Sequence, residues 1–66
     1  MTLVKVHDIK ETAIHWNEKG YWEVPSVVEF ESGEMGCADI PVDGDEALEF
    51  MKEYFSEENE PLELVV

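Results

Sequence analysis

The sequence predicts an α+β fold: a small antiparallel sheet of three to four strands with one amphipathic acidic helix packed on one face. Three observations carry that prediction. Turn chemistry at Asn17–Gly20 and Ser32–Glu34 divides the first forty residues into short β-prone runs. Beyond Pro41 the apolar period lengthens from two residues to the helical spacing. Hydrophobic residues make up 44% of the 66-residue chain and seven residues are aromatic, too rich a composition for a disordered polymer despite a net charge of -13. At this length a chain forms a single domain, here residues 1–66, and buries only about 60% of its unfolded surface, so the core is small.

Leu3, Val4 and Val6 form the first β-prone run, which ends at His7-Asp8. Residues 9–16 fit either strand or helix, and the following Asn17-Glu18-Lys19-Gly20 tips the choice to strand. That tetrapeptide suits a tight hairpin loop in which Gly20 takes the left-handed conformation, so Thr12–Trp16 is expected to pair with Tyr21–Val24. Pro25 is expected to interrupt the returning strand. The pattern resumes with Val28 and Phe30 on one face and Val27, Glu29 and Glu31 on the other, which describes a strand buried on one side. After the Ser32-Gly33-Glu34 turn, Met35–Ile40 returns as a further strand that Pro41 stops.

Asp43-Gly44-Asp45-Glu46 reads as a helix start, with Asp43 and Glu46 spaced as in a capping box and acids in the first turn complementing the helix dipole. The helix should run from about Asp45 to Ser56. At roughly 100° per residue, Ala47, Leu48, Phe50, Met51, Tyr54 and Phe55 fall in one arc, whereas Asp45, Glu46, Glu49, Glu53 and Glu57 fall opposite, with Lys52 at the border. Residues 58–61 end the helix, and Leu62–Val66 should add an edge strand or dock on the helix.

Seventeen acids stand against four lysines and no arginine. Direct nucleic-acid binding is excluded on this balance, since affinity for phosphates comes from Lys and Arg, and anionic membranes are disfavoured for the same reason. A lone cysteine, Cys37, rules out an internal disulfide. The opening MTLVKVHD lacks the features of a signal peptide, and no apolar run approaches the roughly 20 residues that span a bilayer, so the expected compartment is the cytoplasm.

Catalytic and metal chemistry find little support. Asp39, Asp43, Gly44 and Asp45 resemble a calcium loop, but counting from Asp39 the third ligand position falls on Pro41 and the twelfth on Phe50, neither of which offers a side-chain oxygen. Cys37, between Gly36 and Ala38, reads as a small core residue, with nothing nearby expected to favour a reactive thiolate and the acidic neighbour Asp39 opposing one. Zinc spacings, phosphate loops and triad motifs are missing, so neither enzyme activity nor a cofactor is expected.

The acidity is patterned. Residues 43–63 hold nine acids and one lysine. Asp45, Glu49, Glu53 and Glu57 repeat every fourth residue, an arrangement that costs a few tenths of a kcal/mol per neighbouring like-charge pair where Glu–Lys pairs would have stabilised the helix. Acids three and four apart lie about 4.5–6 Å apart along the axis, the same order as the roughly 3.4 Å interval between phosphates on one DNA strand. Such a row can enter a Lys/Arg groove built for a nucleic-acid backbone. The residues expected to bind a partner are Glu29, Glu31, Asp43, Asp45, Glu46, Glu49, Glu53 and Glu57, with Trp16 or Trp22 as an aromatic anchor if either is exposed.

In size, acidity and this sheet-plus-acidic-helix plan the chain resembles the small phage-encoded anti-CRISPR proteins, in particular the acidic DNA mimics that inhibit type I systems, subtype I-C included. The resemblance is one of class and carries no residue-level motif. It implies inhibition without catalysis, the partner being the basic DNA-binding surface of a type I surveillance complex (Cascade), for instance the large subunit that reads the motif flanking the target. A second resemblance rests on Gly20-Tyr-Trp-Glu-Val24, Val27–Ser32 and Gly44-Asp-Glu-Ala47 before the amphipathic helix, which together are similar to the HicB antitoxin domain. That likeness implies neutralisation of a small basic RNA-cleaving toxin. The Gly44–Ala47 helix start is shorter than that family's pattern.

Overall fold

The structure, a computed structural model, describes residues 2–57 and 60–65. Its elements follow in order: β1 (Leu3–Ile9), a single 3-10 turn (Glu11–Ala13), β2 (His15–Asn17), β3 (Tyr21–Glu29), β4 (Met35–Val42), α1 (Asp45–Ser56) and β5 (Leu62–Val65). The sheet has five strands, one more than the upper expectation, because the C-terminal apolar stretch joins it as an edge strand beside β1.

All pairings are antiparallel, and β3 organises them. Along one edge it pairs with β4 through Trp22–Glu29; along the other it pairs with β2 through Tyr21–Glu23 and then with β1 through Ser26–Glu29. The 3-10 turn carries the chain across the seam between those two partners, so Thr12 and Ala13, expected in the hairpin strand, lie in the turn instead and only His15–Asn17 pair with Tyr21–Glu23. The hairpin loop forms as its chemistry dictates. Asn17 Oδ1 accepts from the Lys19 amide at 2.7 Å, the Gly20 amide donates to Asn17 O at 2.9 Å, and Gly20 takes φ 104.

Neither proline behaves as expected. Pro25 does not interrupt β3, nor does Pro41 stop β4, which continues to Val42. The reason lies in which edge each ring nitrogen faces. The N–H and C=O of a residue in an antiparallel strand point to the same side. Pro25 O accepts from the Lys10 amide at 2.7 Å, so its missing donor faces the β2/β1 seam and not β4. The pairs Pro25–Asp39 and Glu23–Pro41 are two residues apart in register, so Pro41 likewise turns its nitrogen away from β3, toward the open edge where a strand tolerates proline.

The face toward α1 holds the core. Val4 and Val6 from β1, Val24 and Val28 from β3, Ile40 and Val42 from β4, and Leu48 and Met51 from α1 are buried, with Phe30, Phe55, Leu62 and Leu64 packed around them. The alternating burial along β3 is the one-sided strand that its sequence pattern predicts. Ser26, the one buried polar residue in this layer, donates its hydroxyl to Val24 O at 2.8 Å and so carries no unsatisfied group into the core. Cys37 is not a core residue. Its register places it beside Val27 on the opposite face, where it is exposed.

Helix α1 begins at Asp45 and ends at Ser56, as the sequence predicts, but without the capping box. Gly44 is the N-cap at φ 92, and no side chain caps the first turn. Asp43 and Glu46 are therefore left pointing into solvent and not into each other's backbone.

Candidate acidic docking surface

The sheet face away from α1 gathers most of the positive charge. Lys5 stands opposite Glu29 on one side and Glu63 on the other. One residue on, a bulge between Val6 and Asp8 turns His7 so that its Nε2 lies 3.0 Å from Glu29 Oε1. Across the sheet, His15 Nε2 lies 2.7 Å from Glu23 Oε2, and His15 Nδ1 faces Ala13 O at 3.1 Å. Both partners of His15 are acceptors, an arrangement satisfied only when both ring nitrogens carry protons. The Ala13 carbonyl first, and then the Glu23 carboxylate, raise the His15 pKa above its usual 6.5. Glu23 is held below its ordinary value, first by the Asn17 amide, which donates to Oε1 at 2.9 Å, and then by His15. Glu31 is also occupied, Oε1 accepting from the Leu3 amide at 3.1 Å. Of the predicted binding residues, Glu29 and Glu31 are thus committed to holding β1 against β3 and its following turn.

Across the sheet, on α1, the balance is different. Lys52, half-buried, sits 3.8 Å from Glu49 and is the helix's own cation. Glu46 and Glu53 make no ion pair among the described residues, and with Glu49 they form a row at i, i+3 and i+7 on an exposed face. Two predicted members leave that row. Asp45 accepts a hydrogen bond from Trp22 Nε1 at 3.0 Å, which ties the helix N-terminus to β3. Glu57 lies past the helix end in an extended conformation, φ -99 and ψ 156, so the fourth-residue repeat stops at Glu53. Asp43 stands on the strand-to-helix connection beside the N-terminus. The eight predicted residues therefore form two groups on opposite sides of the sheet.

The exposure of Phe50 is the feature that sequence reasoning missed, whereas Trp16 is one of the two anchors the sequence names. Trp16 and Trp22 face each other in a non-hydrogen-bonded register pair, where side chains come closest, with ring centroids 5.2 Å apart in an edge-on contact. Trp22 is half-buried and Trp16 is 55% exposed. Phe50, expected in the core, is 56% exposed. It sits between the acid row and a shallow apolar groove of about 240 Å³ whose walls are Ala47, Phe50 and Met51 on α1, Ile40 and Val42 on β4, and Leu62 and Leu64 on β5. The signal was present in the helical wheel: an apolar arc of six residues is wider than the contact that one helix makes with a sheet of this size. Cys37 was also misread, since the fold brings Lys10 Nζ to 3.8 Å from its Sγ, a neighbour far away in the sequence.

Among the described residues no group of three or more His, Cys, Asp and Glu side chains is placed to hold a metal ion, and no helix is long and apolar enough to cross a membrane. Comparison with known proteins finds no matching family model, no similar curated protein and no similar solved structure. The exposed carboxylates of α1 form an array that can accept charge-assisted hydrogen bonds from Lys and Arg, bidentate where Arg is the donor.

Proposed function

We propose that the protein is a nucleic-acid mimic that occupies a basic DNA-binding surface and excludes DNA from it, the partner being a type I CRISPR surveillance complex and its large subunit the best-suited surface. One observation carries this reading: the two histidines of the sheet engage its acids Glu29 and Glu23, while Glu46, Glu49 and Glu53 on α1 face solvent with only Lys52 among them. A surface shaped by solubility alone mixes signs. This one keeps them apart, and a single-signed field of that kind steers a basic partner into encounter. No catalytic step is involved.

The test is competition. The purified protein should displace duplex DNA from the surveillance complex, with affinity falling steeply as salt rises. The paired reversal Glu49→Lys with Glu53→Lys should abolish displacement while leaving the circular-dichroism spectrum intact. A ternary assembly in which complex, DNA and saturating protein coexist would rule out direct occlusion. Unchanged inhibition by the double reversal would shift the site to Glu29 and Glu31.

A second reading, neutralisation of a small basic RNA-cleaving toxin, is favoured by the strands–helix–strand order of the chain. It predicts a toxin gene next to this one and rescue of growth on co-expression, neither of which the inhibitor reading requires.

A further inference from the structure

The helix carries two kinds of surface side by side, and a pure electrostatic decoy needs only one of them. Along α1 the acids Glu46, Glu49 and Glu53 run parallel to Ala47, Phe50 and Tyr54, the same i, i+3, i+7 progression shifted by one residue. Leu48 and Met51 are buried, whereas Ala47 and Phe50 are exposed at the mouth of the groove between α1 and the curled sheet edges. Its volume, about 240 Å³, is below the roughly 300–1,000 Å³ of small-molecule sites, and it is open along its length, so it suits side chains of another polypeptide. The acids bordering it, Asp43 at one end and Glu46 and Glu49 beyond Phe50, set the charge of whatever lies there. A second copy of the chain, itself at -13, is the wrong sign.

We infer that the groove beside α1 is a docking site for a cationic amphipathic helix of the partner, whose apolar side chains pack on Phe50 and the groove floor while its flanking Lys or Arg side chains pair with Glu46, Glu49 and Glu53. This rests on the acidic-surface reading and adds an occupant to it. Helix-in-groove recognition lays apolar anchors at i, i+3, i+4 and i+7 of the incoming helix into an apolar groove, here the one walled by Ala47, Phe50, Leu62 and Leu64. Phe50 is the anchor: an aromatic ring, 56% exposed, with the apolar groove on one side and the acids Glu46, Glu49 and Glu53 on the other.

Two synthetic peptides of about 15 residues, identical in Leu and Lys content, provide the probe. One has leucines at i, i+3, i+4 and i+7; in the other they are scattered around the helix. The amphipathic peptide should bind at least about tenfold more tightly, shifting the NMR signals of Ala47, Phe50 and Leu62. Phe50→Ala should remove that advantage, and Ala47→Glu, which places a carboxylate at the groove mouth, should retain binding of the scattered peptide while losing the groove shifts. Equal binding of the two peptides overturns the inference, as does an advantage that survives Phe50→Ala. Concentration-dependent dimerisation that Phe50→Ala abolishes also overturns it, since the occupant is then a second copy. If the peptides bind equally but Glu49→Lys with Glu53→Lys abolishes both, the groove fails and the acidic surface stands; if that double reversal changes neither, the acidic surface fails as well.

Discussion

His15 has an oxygen acceptor at each ring nitrogen, so the folded sheet favours its protonated form. Its pKa is raised on folding, so its contribution to stability is complete below its ordinary value of 6.5 and fades as pH rises through the raised one. Glu23 has the opposite sign: its pKa is lowered, its contribution is complete above 4.5 and fades as pH falls through the lowered value. The two overlap between those ordinary values. The gap in melting temperature between the wild type and His15→Gln should therefore be widest near about pH 5.5 and close toward about pH 9. A gap that stays constant across that range would show that His15 acts through packing alone.

At the scale of the element, α1 combines a buried strip with an exposed one, and substitutions should separate them. Leu48 is 5% exposed, and Leu48→Ala should cost about 2–5 kcal/mol, as cavities in small cores do. For a chain of this length, whose whole stability is of order 3–10 kcal/mol, that is most of the margin. Phe50→Ala, at a position 56% exposed whose ring lies 5.9 Å from that of Tyr54, should cost about 1 kcal/mol, less than Leu48→Ala although Phe50 is the larger side chain. Urea denaturation reads both. Glu53→Lys should stabilise the helix by about half a kcal/mol, because Glu49 then has an opposite charge four residues toward the C-terminus. The same substitution should weaken binding to a basic partner. A gain in stability with a loss of binding is the signature of a like-charge row that serves recognition.

For the whole molecule, a net charge of -13 on a body with extents of 31 × 26 × 17 Å means that self-repulsion opposes folding. Added salt screens it. The melting temperature should rise between about 10 mM and 300 mM sodium chloride, over which the screening length shortens from about 30 Å to well under 10 Å. Partner binding should weaken over the same range. A melting temperature indifferent to salt would mean that the His7–Glu29, His15–Glu23 and Lys52–Glu49 pairs already neutralise the repulsion that matters. The long β4 edge fits the same economy of charge: Asp39 and Pro41 stand on it, two features that discourage strand addition to an open edge.

The α+β class, the hairpin turns, the one-sided burial of β3 and the limits of α1 were legible in the sequence, because each follows from local periodicity and turn chemistry. Partners across the sheet were not. Pro25 and Pro41 were read as breaks since a linear pattern cannot say which edge a residue faces, and it is the edge that decides whether a missing N–H costs a ladder bond. Cys37 and Phe50 were assigned to the core by side-chain type, whereas register and the narrow reach of the sheet left both exposed. The amount and local spacing of the acid were set by the chain itself. Only the tertiary structure decided which acids remain available, since pairing Glu23 with His15 and Glu29 with His7 brings together residues 8 and 22 positions apart, and that distance is closed by strand register alone.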